Sequence, residues 1–229
     1  MKIELFKTFL TETEMANLAS MSRGKSKSKD PKKLIEQEYE RGHYSINRNN
    51  YLIFRCWDIP LYVLRQWNRH EVGQNKENLN DNFEGMEFMR LAESGYNEKS
   101  MRYTKEPKLE LPTRLLDYID LDRLTSLNKE IFDVYKEVID KKGPAEVARM
   151  VLPMTLLTSF IWTVSVETLL KFFKERLADT AQLEIREVAL EIFLLTQKEL
   201  PWTMRKFLDS KDHKRFKWFN QEIHYIERA

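Results

Sequence analysis

Thr155 to Ser165 is the segment that most limits the folds open to this chain. Its β-branched and aromatic residues, Phe160, Ile161, Trp162, Thr163 and Val164, suit a buried strand or extended segment. Helical patterns flank it on both sides. From Leu127 the apolar positions Ile131, Val134, Tyr135, Val138 and Ile139 fall at helical spacing, one stripe of a long amphipathic helix over 127–142. Gly143 ends that helix, and Pro144 opens the next, which carries Ala145 to Val151. Downstream, Thr168 to Arg176 and Ala181 to Lys198 read as two further helices before Pro201.

The rest of the chain is less uniform. Lys2 to Leu10 has the mixed character of a short opening strand. Ser22 to Lys33 is basic and poor in apolar side chains, and reads as a mobile loop; polyanion binding and plain solvation are both open to it. Pro31 suits the first turn of a helix running through Leu34 and Tyr39 to a C-cap at Gly42. Tyr51 to Phe54 and Leu61 to Leu64 fit strand or helix, and periodicity does not decide between them. Asn75, Asn78, Asn80 and Asn82 make Gln74 to Gly85 a turn-rich exposed loop, with a short helix expected over Met86 to Ala92. The tail from Asp209 is charged and aromatic (Phe216, Trp218, Phe219, Tyr225) and packs on the body or on a neighbouring subunit.

A chain of 229 residues with 42% hydrophobic residues buries a sizeable core in one or two domains. Its 38 basic and 36 acidic residues leave a net charge of +2, so no bulk field points to nucleic acid. Cys56 is the sole cysteine, which excludes an internal disulfide and fits a reducing compartment. His43, His70, His213 and His224 show no metal-ligand spacing, so no metal is expected. No apolar run approaches the ~20 residues of a membrane span, and the start lacks a signal-peptide core. A soluble cytoplasmic protein is the expectation.

Arginines carry the chemical signal. Arg69, Arg102, Arg149 and Arg176 each sit in a short, constrained-looking motif. A guanidinium fork binds phosphate bidentately and also donates to the carbonyl oxygens of a base, and a hydroxyl such as Ser100 completes a phosphate cradle. Taken singly, each arginine reads more simply as a surface ion-pair partner. Taken in order, the motifs resemble flavin-dependent thymidylate synthases. Arg65-Gln66-Trp67-Asn68-Arg69-His70 and Asn97-Glu98-Lys99-Ser100-Met101-Arg102-Tyr103 match the two halves of that family's nucleotide signature. Gly42-His43 with Ser45, ahead of the signature, and Ala148-Arg149 through Pro153, Phe160-Ile161-Trp162-Thr163-Val164, and Arg176 to Ile185, after it, resemble its other motifs. The spacing departs at one place, a long insertion over 72–96 between the signature halves, for which a lid and neutral decoration are both open.

The resemblance implies an α+β fold with long helices on a mixed sheet, forming a single domain over 1–229 and a homotetramer with shared active sites. It places Gln66, Arg69, Ser100, Met101, Arg102, Arg149 and Arg176 on a pyrimidine deoxynucleotide, with Arg149 and Arg176 as the catalytic pair at the base. His43, Ser45, Arg69, His70 and Glu71 fall at its flavin side, with Ser22 a further contact. Departures gather there: Glu71 and Glu167 stand for arginines, Ser165 and Lys171 for asparagines, and Thr180 for a histidine. The activity implied is conversion of dUMP to dTMP with methylenetetrahydrofolate, FAD and NADPH. Two alternatives follow from the departures: a flavin-independent hydroxymethylase acting on dUMP or dCMP, and a non-catalytic nucleotide-binding homologue. No direct nucleic-acid or membrane partner is expected.

Overall fold

The computed structural model describes residues 1–67, 94–100, 107–210 and 215–226. The fold is α+β, built on a four-stranded antiparallel sheet of order β1-β2-β4-β3. Its strands are β1 (Lys2–Thr8), β2 (Tyr51–Pro60), β3 (Ser94–Glu98) and β4 (Leu157–Ser165). The register of β2 on β4 is fixed at both ends. Leu61 N–H donates to Leu156 O (3.0 Å) at one, and Val166 N–H to Asn50 O (2.9 Å) at the other.

Alternation decides what periodicity left open. Leu52, Phe54 and Cys56 are buried on one face of β2, as are Thr158, Phe160, Trp162 and Val164 on β4, the two-residue repeat of a strand. Pro60 closes β2, and the chain turns at once into the helix Leu61–Trp67, which buries Val63, Leu64 and Trp67.

Among the described residues the helices, in chain order, are α1 (Glu12–Met21), α2 (Pro31–Glu40), α3 (Leu61–Trp67), α4 (Leu121–Asp140), α5 (Ala145–Ala148), α6 (Val166–Arg176), α7 (Leu183–Glu199), α8 (Pro201–Ser210) and α9 (Lys217–Ile226). Short 3₁₀ turns occupy Tyr44–Asn47, Thr113–Asp117 and Arg149–Val151. Among the described residues, no helix is long and apolar enough to cross a membrane. The helix expected over Met86 to Ala92 lies outside the described residues, and of the 72–96 insertion only 94–96 are described, in β3.

The chain divides into two compact units. The first comprises residues 1–2, 56–66 and 97–160, the second residues 3–55, 67–96 and 161–229. In the first, α4 begins six residues before its apolar stripe (121 against 127) and buries only Leu124 and Tyr135. Leu121, Leu127 and Val134 stay exposed. Gly143 follows because a Cβ there would lie 2.6 Å from Val138 Cγ1 and 2.7 Å from the Val138 carbonyl oxygen.

The second unit holds the aromatic core. Trp162 meets Phe54, Trp67, Tyr96 and Phe172 with ring centroids 5.0 to 6.1 Å apart. The chain of rings continues through Phe173 and Phe193 to Phe207 on α8 and Phe219 on α9. The aromatic tail therefore packs on this unit. Asp179 caps α9, accepting Lys217 N–H (3.1 Å) and Trp218 N–H (3.0 Å).

Glu12, almost wholly buried, does the same for α8. Its carboxylate accepts Trp202 N–H at 3.0 Å and Thr203 N–H at 2.6 Å. Burial pushes the Glu12 carboxyl up despite these donors. Replacing Glu12 with Ala strands both donors and is expected to cost about 2–4 kcal/mol, since an unmade buried hydrogen bond costs about 1–3 kcal/mol. Glu12→Gln keeps an acceptor and should lose distinctly less, a ranking that urea unfolding of the three proteins measures.

Candidate active site

Those residues read from the sequence as ligand contacts that are described sit at or just beyond the ends of these elements. Gln66 is half-buried in the last turn of α3, its amide 3.5 Å from the Tyr62 carbonyl. The start of α3 is tied down by Leu61 N–H to Leu156 O and Tyr62 N–H to Met154 O, both 3.0 Å. Tyr62 Oη adds a hydrogen bond to Glu110 at 2.7 Å. Ser100, also half-buried, follows directly on the sheet edge, where Lys99 N–H donates to Ser159 O (2.8 Å) and Thr158 Oγ1 to Glu98 (2.9 Å). Arg149 is exposed where α5 passes into a 3₁₀ turn, anchored by the buried Ala148 beside it. Gln66, Ser100 and Arg149 belong to the first unit.

The second unit carries Arg176, His43 and Ser45. Arg176 ends α6, half-buried, following the buried Phe172 and Phe173 by about one turn and directly preceding the buried Leu177. His43 and Ser45 are exposed in the turn after α2. Gly42, at φ +71°, makes that turn possible, and His43 N–H donates back to Glu38 O at 2.8 Å. His43 Nδ1 stands 3.5 Å from a Glu38 carboxylate oxygen. Arg69, His70, Glu71, Met101 and Arg102 lie outside the described residues.

Helix α6 starts at the positions expected to differ on the flavin side. Ser165 caps it, accepting Thr168 N–H at 3.2 Å. Serine and asparagine are comparable N-caps, so this exchange preserves the local fold. Glu167 in the first turn does not stand as a bare negative charge. Its carboxylate accepts from Arg48 Nε at 2.8 Å and lies 3.3 Å from Lys171 Nζ. Partial burial works against ionisation of Glu167, but the bonds from Arg48 and Lys171 prevail and hold its carboxyl below the usual range.

Neither Arg48 nor Glu38 stood out in the sequence. Arg48 and Glu167 are 119 residues apart, and nothing local to either reveals the pair. A pocket of about 80 Å³ opens at Glu167, lined in part by Tyr39, Asn47, Glu167, Lys171, Lys174 and Phe207. Lys171 and Lys174 line it with Glu167, whose carboxylate is also paired from outside the lining by Arg48.

A family model described as "Thymidylate synthase complementing protein" matches residues 4–202. The chain belongs to this family. Among its relatives in the thymidylate synthase complementing family, the flavin-dependent thymidylate synthase of Thermotoga neapolitana is 30% identical over 192 residues, covering 80% of this chain and 78% of that one. That of Thermosipho africanus is 30% identical over 193 residues, covering 82% of each. The crystal structure of the UMP/dUMP methylase PolB from Streptomyces cacaoi bound with 5-Br dUMP shares the fold. It superposes with a TM-score of 0.70 at 21% identity, covering 91% of this chain and 94% of that one.

The pairing of Glu167 makes a signed prediction. A carboxyl whose folded pKa is depressed contributes stability above its unfolded value and loses it as pH falls through the folded one. Glu167→Gln should therefore destabilise the protein at neutral pH. The gap to wild type should close in acid, below the ordinary carboxylate value of about 4.5, in urea melts across pH.

Proposed function

We propose that this protein transfers a one-carbon unit from methylenetetrahydrofolate to C5 of dUMP, giving dTMP, as a cytoplasmic homotetramer. The observation that supports the reading is the ordered nucleotide set on the family's fold, with Gln66 in α3, Ser100 two residues beyond β3, Arg149 in a 3₁₀ turn and Arg176 at the end of α6. Gln66 and Ser100, with Arg69, Met101 and Arg102, hold the phosphate and sugar. Arg176 and Arg149 donate to the pyrimidine carbonyls and stabilise the negative charge that develops on the ring as C5 becomes nucleophilic.

His43, Ser45, Arg69, His70 and Glu71 would hold FAD, and the matched charge of Glu167 supports its retention. Bound FAD supplies the hydride that completes the methyl group, with NADPH as its reductant. The exchanges at Glu71, Lys171 and Thr180 favour a second reading, in which no flavin is held and water captures the C5 methylene, giving a 5-hydroxymethyl nucleotide of uracil or cytosine.

An absorbance spectrum after loading with FAD and desalting separates the two. Retained flavin supports methylation; a colourless protein that turns over dUMP or dCMP with folate supports hydroxymethylation. Under either reading Arg176→Ala should weaken dUMP binding roughly 10- to 100-fold, the loss of one charged hydrogen bond. Unchanged affinity in a titration would remove Arg176 from the site.

Assembly is supported by α4 and the segment that follows. Leu127 (51% exposed), Val134 (46%) and Met150 (77%) present apolar surface next to Arg149, which suits a second copy of the chain and a site completed between subunits. Leu127→Asp with Met150→Asp is expected to yield a smaller species by light scattering and to lose turnover. A tetramer that persists in the double variant would place the interface elsewhere.

A further inference from the structure

Between α1 and α2 the second unit forms a basic pocket that the nucleotide and flavin assignments leave unused. It is a concavity of about 200 Å³, open to solvent, whose charged lining is Arg23, Lys25, Lys27, Lys29, Asp30 and Lys33. Five cations thus face one carboxylate, and that carboxylate is taken by Lys33 N–H at 3.0 Å, capping α2. Among the described residues, no ion pair or side-chain hydrogen bond engages the ammonium groups of Lys25, Lys27, Lys29 or Lys33.

The loop that presents these lysines is tied to α1. Lys25 N–H donates to Ser20 O (3.1 Å), Ser28 N–H to Asn17 Oδ1 (3.0 Å) and Ser22 Oγ to Ala19 O (2.8 Å). Gly24, at φ +70°, reverses the chain between them. Like charges are therefore held around one concavity at a cost in mutual repulsion that a polyanion would relieve. Arg23 joins the pocket to the site: its guanidinium pairs with the Glu38 carboxylate, whose other oxygen is 3.5 Å from His43 Nδ1.

We infer that this pocket receives the polycarboxylate end of the folate co-substrate, a chain of linked glutamates beyond the first. The inference rests on the folate reading above. Flexible lysines are point charges without a directional fork, so they select for the number of anionic groups more than for their geometry. A tail bearing one carboxylate per residue fits such a lining.

The test compares methylenetetrahydrofolate carrying one glutamate with the form carrying five, on the full-length protein and on the Lys25→Gln, Lys27→Gln, Lys29→Gln triple variant. Wild type should show a KM roughly tenfold lower for the longer tail, the sum of three exposed ion pairs of ordinary strength. The variant should treat both forms alike, with kcat and the single-glutamate KM unchanged. High salt should erase the wild-type preference. Equal KM values in wild type, or a preference that survives in the variant, would overturn the assignment.

If neither form is turned over, the catalytic reading fails and equilibrium dialysis of the same two folates reads the pocket alone. A tail-dependent Kd abolished in the variant sustains the inference, and no difference overturns it. Inorganic tripolyphosphate that binds wild type and not the variant, without any effect of tail length, would give the pocket to a phosphate ligand and overturn it too.

Discussion

Four aromatic rings converge on Trp162, and each comes from a different element. Phe54 stands on β2, Trp67 ends α3, Tyr96 lies in β3 and Phe172 in α6. Such ring pairs add about 0.5–1.5 kcal/mol each beyond their buried area. Their placement matters more than their sum. Trp67 directly follows Gln66, Tyr96 precedes the Asn97–Ser100 segment by one residue, and Phe172 lies one helical turn before Arg176. Packing at one indole thereby sets where three of the stretches proposed to meet the nucleotide begin.

Much of this was legible because the signals were local. Pro31 and Gly42 bracket α2 as read, and β1, β4, α6 and α7 fall within a few residues of expectation. β2 and α3 were ambiguous because both are short apolar runs, and only burial against the sheet distinguishes them. The tail was open between two partners until Phe219 was seen against Phe193. Although the family match ends at Trp202, the rings of Phe207 and Phe219 belong to the same core.

The candidate site was legible residue by residue but not in its charge balance. Read alone, a glutamate in place of an arginine argues against an anionic cofactor. Beside Arg48 and Lys171 the same glutamate is held in two ion pairs, and the neighbourhood remains net positive. A position separated from its partner by 119 residues carries no trace of that pairing in its own motif. Similarly, Asp179 lies in a motif that suggests ligand binding, whereas its carboxylate is committed to the start of α9.

Glu12 reaches 190 and 191 residues along the chain to the amides of Trp202 and Thr203. Contacts of such separation close the largest loops and form late, because the entropy of closure must be met before the contact returns anything. During synthesis α1 therefore emerges early but cannot reach its native surroundings until α8 has left the ribosome. The opening strand and helix spend most of that interval without the donors that satisfy their buried carboxylate, a period in which chaperones would find them exposed.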